Sequence, residues 1–291
     1  MSETITTISP SGHLVYQSYR DLPLDPEHTR KTIIYLLSAL AFWIFMKYVG
    51  CYYHWIPATY AKKMSDYDKL IWRHRVISCY HGCFAVLFSI YWYATSFTTE
   101  SSRRITDYEL FMLSHTGVWL FMDTVFMYTA GFLDMGNLLH HTFGFTVYFS
   151  IAYYQHDYTP LAIHLLPGEL SNLQMNGREI LKRMGLRYTK AYYLNEFAYC
   201  LTYLFCRIFW IPSIYYLIWT CPSTNPFTLV FYLFHVLMSL YYCMQIPRLL
   251  GQRWNEMGKL QKAGELKTLF ATVPSEALKK LGVKEFEAYK T

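Results

Sequence analysis

Apolar side chains along this chain fall in runs of about twenty residues, the length a helix needs to cross a hydrocarbon core, separated by short polar stretches. Seven such runs predict seven transmembrane helices, at residues 32–53, 71–97, 108–130, 137–154, 158–178, 192–219 and 227–246. The first is interrupted only by Lys47, close enough to its end for the ammonium to reach the headgroups. The fifth differs in kind, because Glu169, Asn172 and Asn176 stand at i, i+3 and i+7 and make one polar stripe at the helical period. That helix is expected to line a lumen, with Pro167 tolerated where neighbouring helices satisfy the freed carbonyl. Beyond Arg248 the pattern turns amphipathic. Leu266, Leu269 and Phe270, then Ala277, Leu278 and Leu281, predict short helices lying on a surface.

Polar residues inside the runs carry the candidate chemistry. Arg75, Ser78 and His81 recur every third residue at the start of the second run and share an inward face. Asp123 lies in the middle of the third, where insertion costs about 3 kcal/mol. It therefore needs a partner, and Arg75, His115 and His141 are the candidates. The loop 131–136 is short, so the third and fourth helices are antiparallel neighbours, which brings Asp123 to the depth of the adjacent pair His140 and His141. A neutral imidazole takes or carries a proton near neutral pH, so the pair suits general-base or nucleophilic catalysis. Asp123 can orient one ring. Hydrogen bonding between helices is the non-catalytic alternative for the pair. Arg75 and Arg207 are candidates for a phosphate or headgroup, or for pairing with Asp123 or Glu169.

Composition agrees with the pattern. Of 291 residues, 53% are hydrophobic, 19% aromatic and only 16% charged, which marks an integral membrane protein of one membrane domain and excludes a disordered chain. Runs of this length also exclude an outer-membrane barrel, whose strands are half as long and alternate in polarity. The 7 cysteines show no CxxC pair and read as small buried hydrophobes. The formal charge of +6 comes without a basic stripe interleaved with aromatics, so no nucleic-acid partner is expected. Positive charge gathers instead at Lys62, Lys63, Lys69, Arg73, the 182–190 loop and the tail, on the face opposite Arg20, Arg30, Lys31, Arg103 and Arg104. By the positive-inside rule the C-terminus is cytosolic, or on the matrix side in mitochondria. Residues 1–30 form a polar arm without a removable targeting signal, leaving two routes open, the endoplasmic reticulum and the mitochondrial inner membrane. The divisions are then the arm, a first helix at 31–55, a domain at 68–250 and a polar tail at 251–291.

Trp72, Arg75, Ser78 and His81, followed by Gly117 and Asp123, Leu139-His-His141, Gly168-Glu-Leu-Ser-Asn172 with Asn176 and Arg178, and Phe205-Cys-Arg207, resemble the TLC-domain family in order and position. The resemblance covers about two-thirds of the chain and implies a six-helix barrel from the second to the seventh helix, with the first outside. The family's ceramide synthases transfer an acyl group from acyl-CoA to a sphingoid amine. Carried over, this puts catalysis on His140 and His141 with Asp123 beside them. It leaves Arg75, His81, Glu169, Asn172, Asn176, Arg178 and Arg207 for lipid or headgroup binding, acyl-CoA being a substrate and no cofactor being bound. Gly168-Glu-Leu-Ser-Asn172 stands where ceramide synthases carry His-Asp-x-x-Asp, so the chain is closer to the family's lipid-handling members. A histidine-bound iron is not expected, because the place three before the pair is Asn137 and no second His-x-x-His-His occurs. Two functions remain open: a protein that binds or processes lipid, including N-acyl transfer, and a non-catalytic accessory subunit whose arm and tail dock on other membrane subunits.

Overall fold

A computed structural model describes residues 6–8, 14–16, 25–50, 56–62, 64–97, 105–154, 163–220 and 226–283. Most of the N-terminal arm, the loop 98–104, the start of the fifth run at Tyr158 and the tail beyond 283 lie outside these residues. Two three-residue strands in the arm, β1 (Thr6–Ile8) and β2 (Leu14–Tyr16), pair antiparallel with Thr6 opposite Tyr16. From Pro26 onward the described chain is helical, and the protein is an all-α integral membrane protein.

Helix α1 (Pro26–Phe45) starts on Asp25, whose carboxylate accepts from Glu27 N at 3.0 Å, and continues into a π-helical turn, Met46–Gly50. After the short α2 (Ala58–Ala61) comes α3 (Asp66–Thr95), capped by Ser65, then α4 (Asp107–Thr129) and α5 (Met135–Tyr154). A 3₁₀ segment, Ile163–Glu169, leads into α6 (Leu170–Arg183). Helix α7 (Lys190–Leu204) passes through a π-helical turn, Phe205–Trp210, into α8 (Ile211–Thr220). Then follow α9 (Pro226–Cys243), α10 (Ile246–Lys262) and α11 (Ser275–Lys280).

Five stretches, Pro26–Gly50, Asp66–Thr95, Asp107–Thr129, Lys190–Thr220 and Leu229–Lys262, are long and apolar enough to cross a bilayer. The two further crossings read from the sequence are α5 and the 3₁₀–α6 unit. The latter has 7 residues in 3₁₀ form and 14 in α form, which together rise about 35 Å, a full crossing. Contacts at the two ends show the alternation that seven crossings require. At one end His28 Nε2 donates to Ala152 O at 2.9 Å, Lys31 pairs with Asp107 at 3.0 Å, and Tyr93 Oη bonds His164 Nδ1 at 2.6 Å. At the other end Lys47 covers the Phe126 ring, Asp68 pairs with Arg183, and the Tyr242 hydroxyl lies against Gly136.

Packing runs α3 to α4, α4 to α5, α5 to α9, α9 to α8, α7 to α6 and α6 back to α3, so the six units close into the barrel expected from the resemblance. Helix α1 lies outside, on α4, and buries only His28, Thr32, Ala39 and Trp43. The tight α4–α5 connection ends on Gly131, whose φ of +74° lets Phe132 N bond back to Met127 O at 3.1 Å. Gly117 permits the close α4–α5 approach, since a β-carbon there would sit 3.1 Å from Tyr148 Cβ.

Two expectations need correction. The fifth helix is not α-helical throughout: around Pro167, which has no amide hydrogen to donate, the chain takes the tighter 3₁₀ form. In the tail, Leu266, Leu269 and Phe270 lie between helices, because Gly264 at φ +70° ends α10 and Pro274 opens α11. The tail nevertheless packs. Leu260, Leu266, Leu278 and Val283 form an apolar cluster with Tyr192 and Tyr193 of α7, and Ala191 N donates to Leu269 O at 2.9 Å.

Candidate functional site

Successive residues on an α-helix point about 100° apart, and this separates the two histidines. His141 turns toward α4, where its Nδ1 lies 3.2 Å from Thr124 Oγ1. That hydroxyl donates its single hydrogen to Leu120 O at 2.9 Å, so toward the imidazole it acts as acceptor and Nδ1 carries the proton. Asp123, 7% exposed, has one oxygen 3.5 Å from the same nitrogen and the other 3.2 Å from His74 Nε2. The His74 contact is not aligned as a hydrogen bond. Of the partners expected for Asp123, the structure supplies His141, adds His74, and takes away the other two. Arg75 Nη1 donates instead to Asn176 Oδ1 at 3.2 Å, and the His115 ring is caged by Phe84, Phe111 and Trp43.

His140 turns into the barrel and lines a partly open recess of about 50 Å³. Its ring stacks on His235 of α9, with centroids 4.9 Å apart and planes at 28°. Arg207, buried on the π-helical turn, donates from Nη1 to His235 Nε2 at 3.0 Å and to Ser239 Oγ at 3.5 Å. Because guanidinium only donates, Nε2 of His235 is the bare nitrogen of that ring. Among the described residues Arg207 has no carboxylate within ion-pair distance, and the buried Arg207 Nε and Tyr232 Oη have no hydrogen-bond partner. Both residues line the recess, as does Glu169, and Val147, Tyr148, Ile211 and Phe231 supply apolar wall. The volume suits a small polar group or a few waters. The recess itself is narrower than an acyl chain bound along its length would need.

The polar stripe of α6 faces α3. Asn172 Nδ2 donates to Glu169 Oε2 at 2.6 Å, Asn176 Nδ2 to Asn172 O at 2.8 Å, and Arg75 reaches across to Asn176. His81 Nδ1 lies 3.6 Å from Glu169 Oε2, and its ring stacks on Trp119 at 5.1 Å. Thus His140, Glu169 and Arg207 meet at the recess, while Asp123 and His141 form a second cluster beside it. Asn172, Asn176, Arg75 and His81 make the α3–α6 seam behind Glu169. Arg178 is elsewhere: its Nη1 is 3.6 Å from Glu196 Oε1 and its guanidinium covers the Tyr199 ring at 5.2 Å.

The sequence patterns single out none of His74, Tyr232 and His235. His74 was legible as one more imidazole on the turn that carries Arg75. The stacking of His235 on His140 was not, since it depends on α9 lying beside α5, a neighbour relation that no local pattern encodes.

A family model for the TLC domain matches residues 71–249, more than half of the chain and every helix of the barrel from within α3 to the first turn of α10. A search of curated proteins returns no match. With the six-helix barrel closed and the histidine pair, Asp123 and Arg207 all inside the matched span, the chain belongs to the TLC-domain family, whose lipid-related membrane function it shares.

Proposed function

We propose that this protein binds the polar end of a lipid or acyl chain in the recess and transfers an acyl group from acyl-CoA to an amine. The observation that carries this reading is the pair of buried donors without a partner, Arg207 Nε and Tyr232 Oη, on an apolar-walled recess that His140 lines. Such donors suit a carbonyl oxygen that gains negative charge. His140 takes one proton from the substrate ammonium, and the freed amine attacks the thioester carbon. Charge on the carbonyl oxygen is met by Arg207 and Tyr232. When the C–S bond breaks, His140 relays a second proton from the attacking nitrogen to the departing thiolate, giving amide, CoA thiol and one released proton. The acyl chain lies outside the 50 Å³ recess, along its apolar wall.

Purified protein given acyl-CoA and a long-chain amine is expected to release free CoA, and His140→Ala to stop that release. Equal release by the wild type and the His140→Ala/His141→Ala double variant refutes the assignment.

The narrowness of the recess favours a second reading, a non-catalytic accessory subunit in which the filled barrel serves as a packing element. Native electrophoresis after mild detergent extraction separates the two: co-migration with a large assembly supports the subunit, and migration as a monomer or small oligomer removes it. Under either reading the membrane is that of the endoplasmic reticulum or the mitochondrial inner membrane, with the C-terminus on the cytosolic or matrix side, as the lysines and arginines of the α6–α7 connection and α10 favour. Protease protection of the tail in sealed organelles tests the sidedness.

A further inference from the structure

A second, partly open pocket is wider than the recess. It measures about 250 Å³ and opens where the end of α1, the start of α3 and the end of α4 meet, outside the six-helix barrel. Lys47, Arg73 and His74 line it with Tyr48, Leu70 and Phe126, and no carboxylate does. It lies at the end of the bundle where Lys69, Lys182, Arg183 and Arg187 also gather.

Lys47 is the informative residue. A lysine one turn from the end of a membrane helix ordinarily extends outward to the headgroups. Here its neighbours Phe45, Tyr48 and Val49 are exposed, yet the ammonium turns inward and lies 3.3 Å from the centroid of the buried Phe126 ring. The π-helical turn Met46–Gly50, a form found often at functional sites, is the local departure that carries this side chain. Among the described residues no carboxylate lies within ion-pair distance of Lys47. The acids near this end have closer partners: Asp66, whose charge also reaches Arg73, pairs with Lys69 at 2.8 Å, Asp68 pairs with Arg183, and Asp123, whose charge also reaches Lys47, faces His74 and His141. A second cation, Arg73 of α3, also lines the pocket.

We infer that this pocket is a binding site for the phosphate of an anionic lipid from the leaflet at the basic end, held between Lys47 and Arg73. Basic pockets between transmembrane helices on the positively charged side recognise such headgroups. The volume admits a phosphodiester with its attached glycerol carbons, and the apolar Leu70 and Phe126 side chains suit the start of the acyl chains. The site is independent of the recess and of the reaction assigned to it.

The test uses the full chain in nanodiscs of phosphatidylcholine alone or doped with phosphatidylglycerol, with retained lipid measured by native mass spectrometry. Wild type is expected to retain phosphatidylglycerol selectively. Lys47→Met should retain it about fivefold less and Lys47→Arg as well as wild type. Inorganic phosphate at millimolar concentration should not displace it. Equal retention of both lipids, or undiminished selectivity in a folded Lys47→Met protein, overturns the inference and leaves Lys47 as a partner of the carbonyl end of α4. Displacement by inorganic phosphate overturns the lipid as its source. Should Lys47→Met not fold, Arg73→Gln replaces it, with the same expected loss and the same refuting result.

Discussion

Replacing Glu196 by alanine tests how the C-terminal tail is held. Glu196, on α7, is fully buried, and its Oε1 receives Arg253 Nε of α10 at 3.3 Å while Arg178 Nη1 of α6 stands 3.6 Å away. Arg253 also donates to Glu256 at 2.9 Å, which takes Arg187 Nη2 at 2.8 Å. One carboxylate therefore ties three helices together. Removing it leaves Arg178 with Glu179 at 3.5 Å and Arg253 with Glu256 as their remaining carboxylates, and the two arginine side chains are 21% and 17% exposed. Breaking a buried pair from one side costs about 3–5 kcal/mol, and the partial hydration of both arginines favours the lower end, about 3 kcal/mol. At 1.4 kcal/mol per factor of ten, the population with α10 undocked rises roughly 100-fold. Limited trypsin digestion in detergent reads this, because cleavage at Lys259 and Lys262 follows the open population when closing is fast. Glu196→Gln, which keeps an acceptor for Arg253, should lie between wild type and alanine. An unchanged rate in Glu196→Ala would mean that the apolar cluster holds the tail alone and that the ion pairs contribute nothing. The result also bears on function, since the docked tail still exposes Trp254, Leu269 and Phe270, apolar surface that a neighbouring subunit could cover.

Three further outcomes are expected. Glu109→Ala removes the acceptor of Trp92 Nε1 (2.7 Å) and of Thr106 N (2.8 Å), costing about 2–4 kcal/mol; it should lower the melting temperature in detergent, Glu109→Gln should recover most of the loss, and an unchanged melting temperature counts against the capping role. Gly117→Val forces α4 from α5 at Tyr148 and should cost about 1–3 kcal/mol in the same melting assay, a neutral result meaning that the helices part freely. Arg207→Met should lower CoA release about 100-fold, and Arg207→Lys should restore only part of it, because an ammonium cannot hold His235 and a carbonyl oxygen in the fork geometry; full activity in the lysine variant refutes the role given to Nε.

The crossings and the inward stripes were legible because burial in lipid makes every exposed polar side chain costly, and apolar runs record that constraint residue by residue. Glu169, Asn172 and Asn176 share a face with the α3 residues that the every-third spacing singled out, and Arg75 to Asn176 joins them directly. What the pattern hides is rotation about the helix axis at irregular turns. The π-helical turns at Met46–Gly50 and Phe205–Trp210 carry Lys47 and Arg207, and no periodicity assigns the direction of either. The third barrel neighbour of the site, α9, was likewise hidden, because ring closure is a property of the whole barrel. Buried capping explains a further omission: Glu109 reads as a first-turn acid at a membrane edge, and only the α3–α4 packing reveals Trp92 behind it.

Separation of the histidine pair by the helix twist distinguishes two residues that the family resemblance treats alike. Thr124 fixes the proton of His141 on Nδ1, and Arg207 leaves Nε2 of His235 bare, so both rings have their tautomers set by protein partners. Among the described residues, the His140 ring nitrogens have no hydrogen-bond partner, and they are not sealed from the recess. A base must gain and lose a proton without breaking the contacts that position it. His140 meets this condition, because stacking on His235 fixes the plane of its ring and leaves its nitrogens unengaged. His141 would take a proton at Nε2 with its Nδ1 contacts to Thr124 and Asp123 intact, but it does not line the recess, whereas His140 does. Under the proposed acyl transfer the base is therefore His140, and His141 with Asp123 braces the helix that presents it.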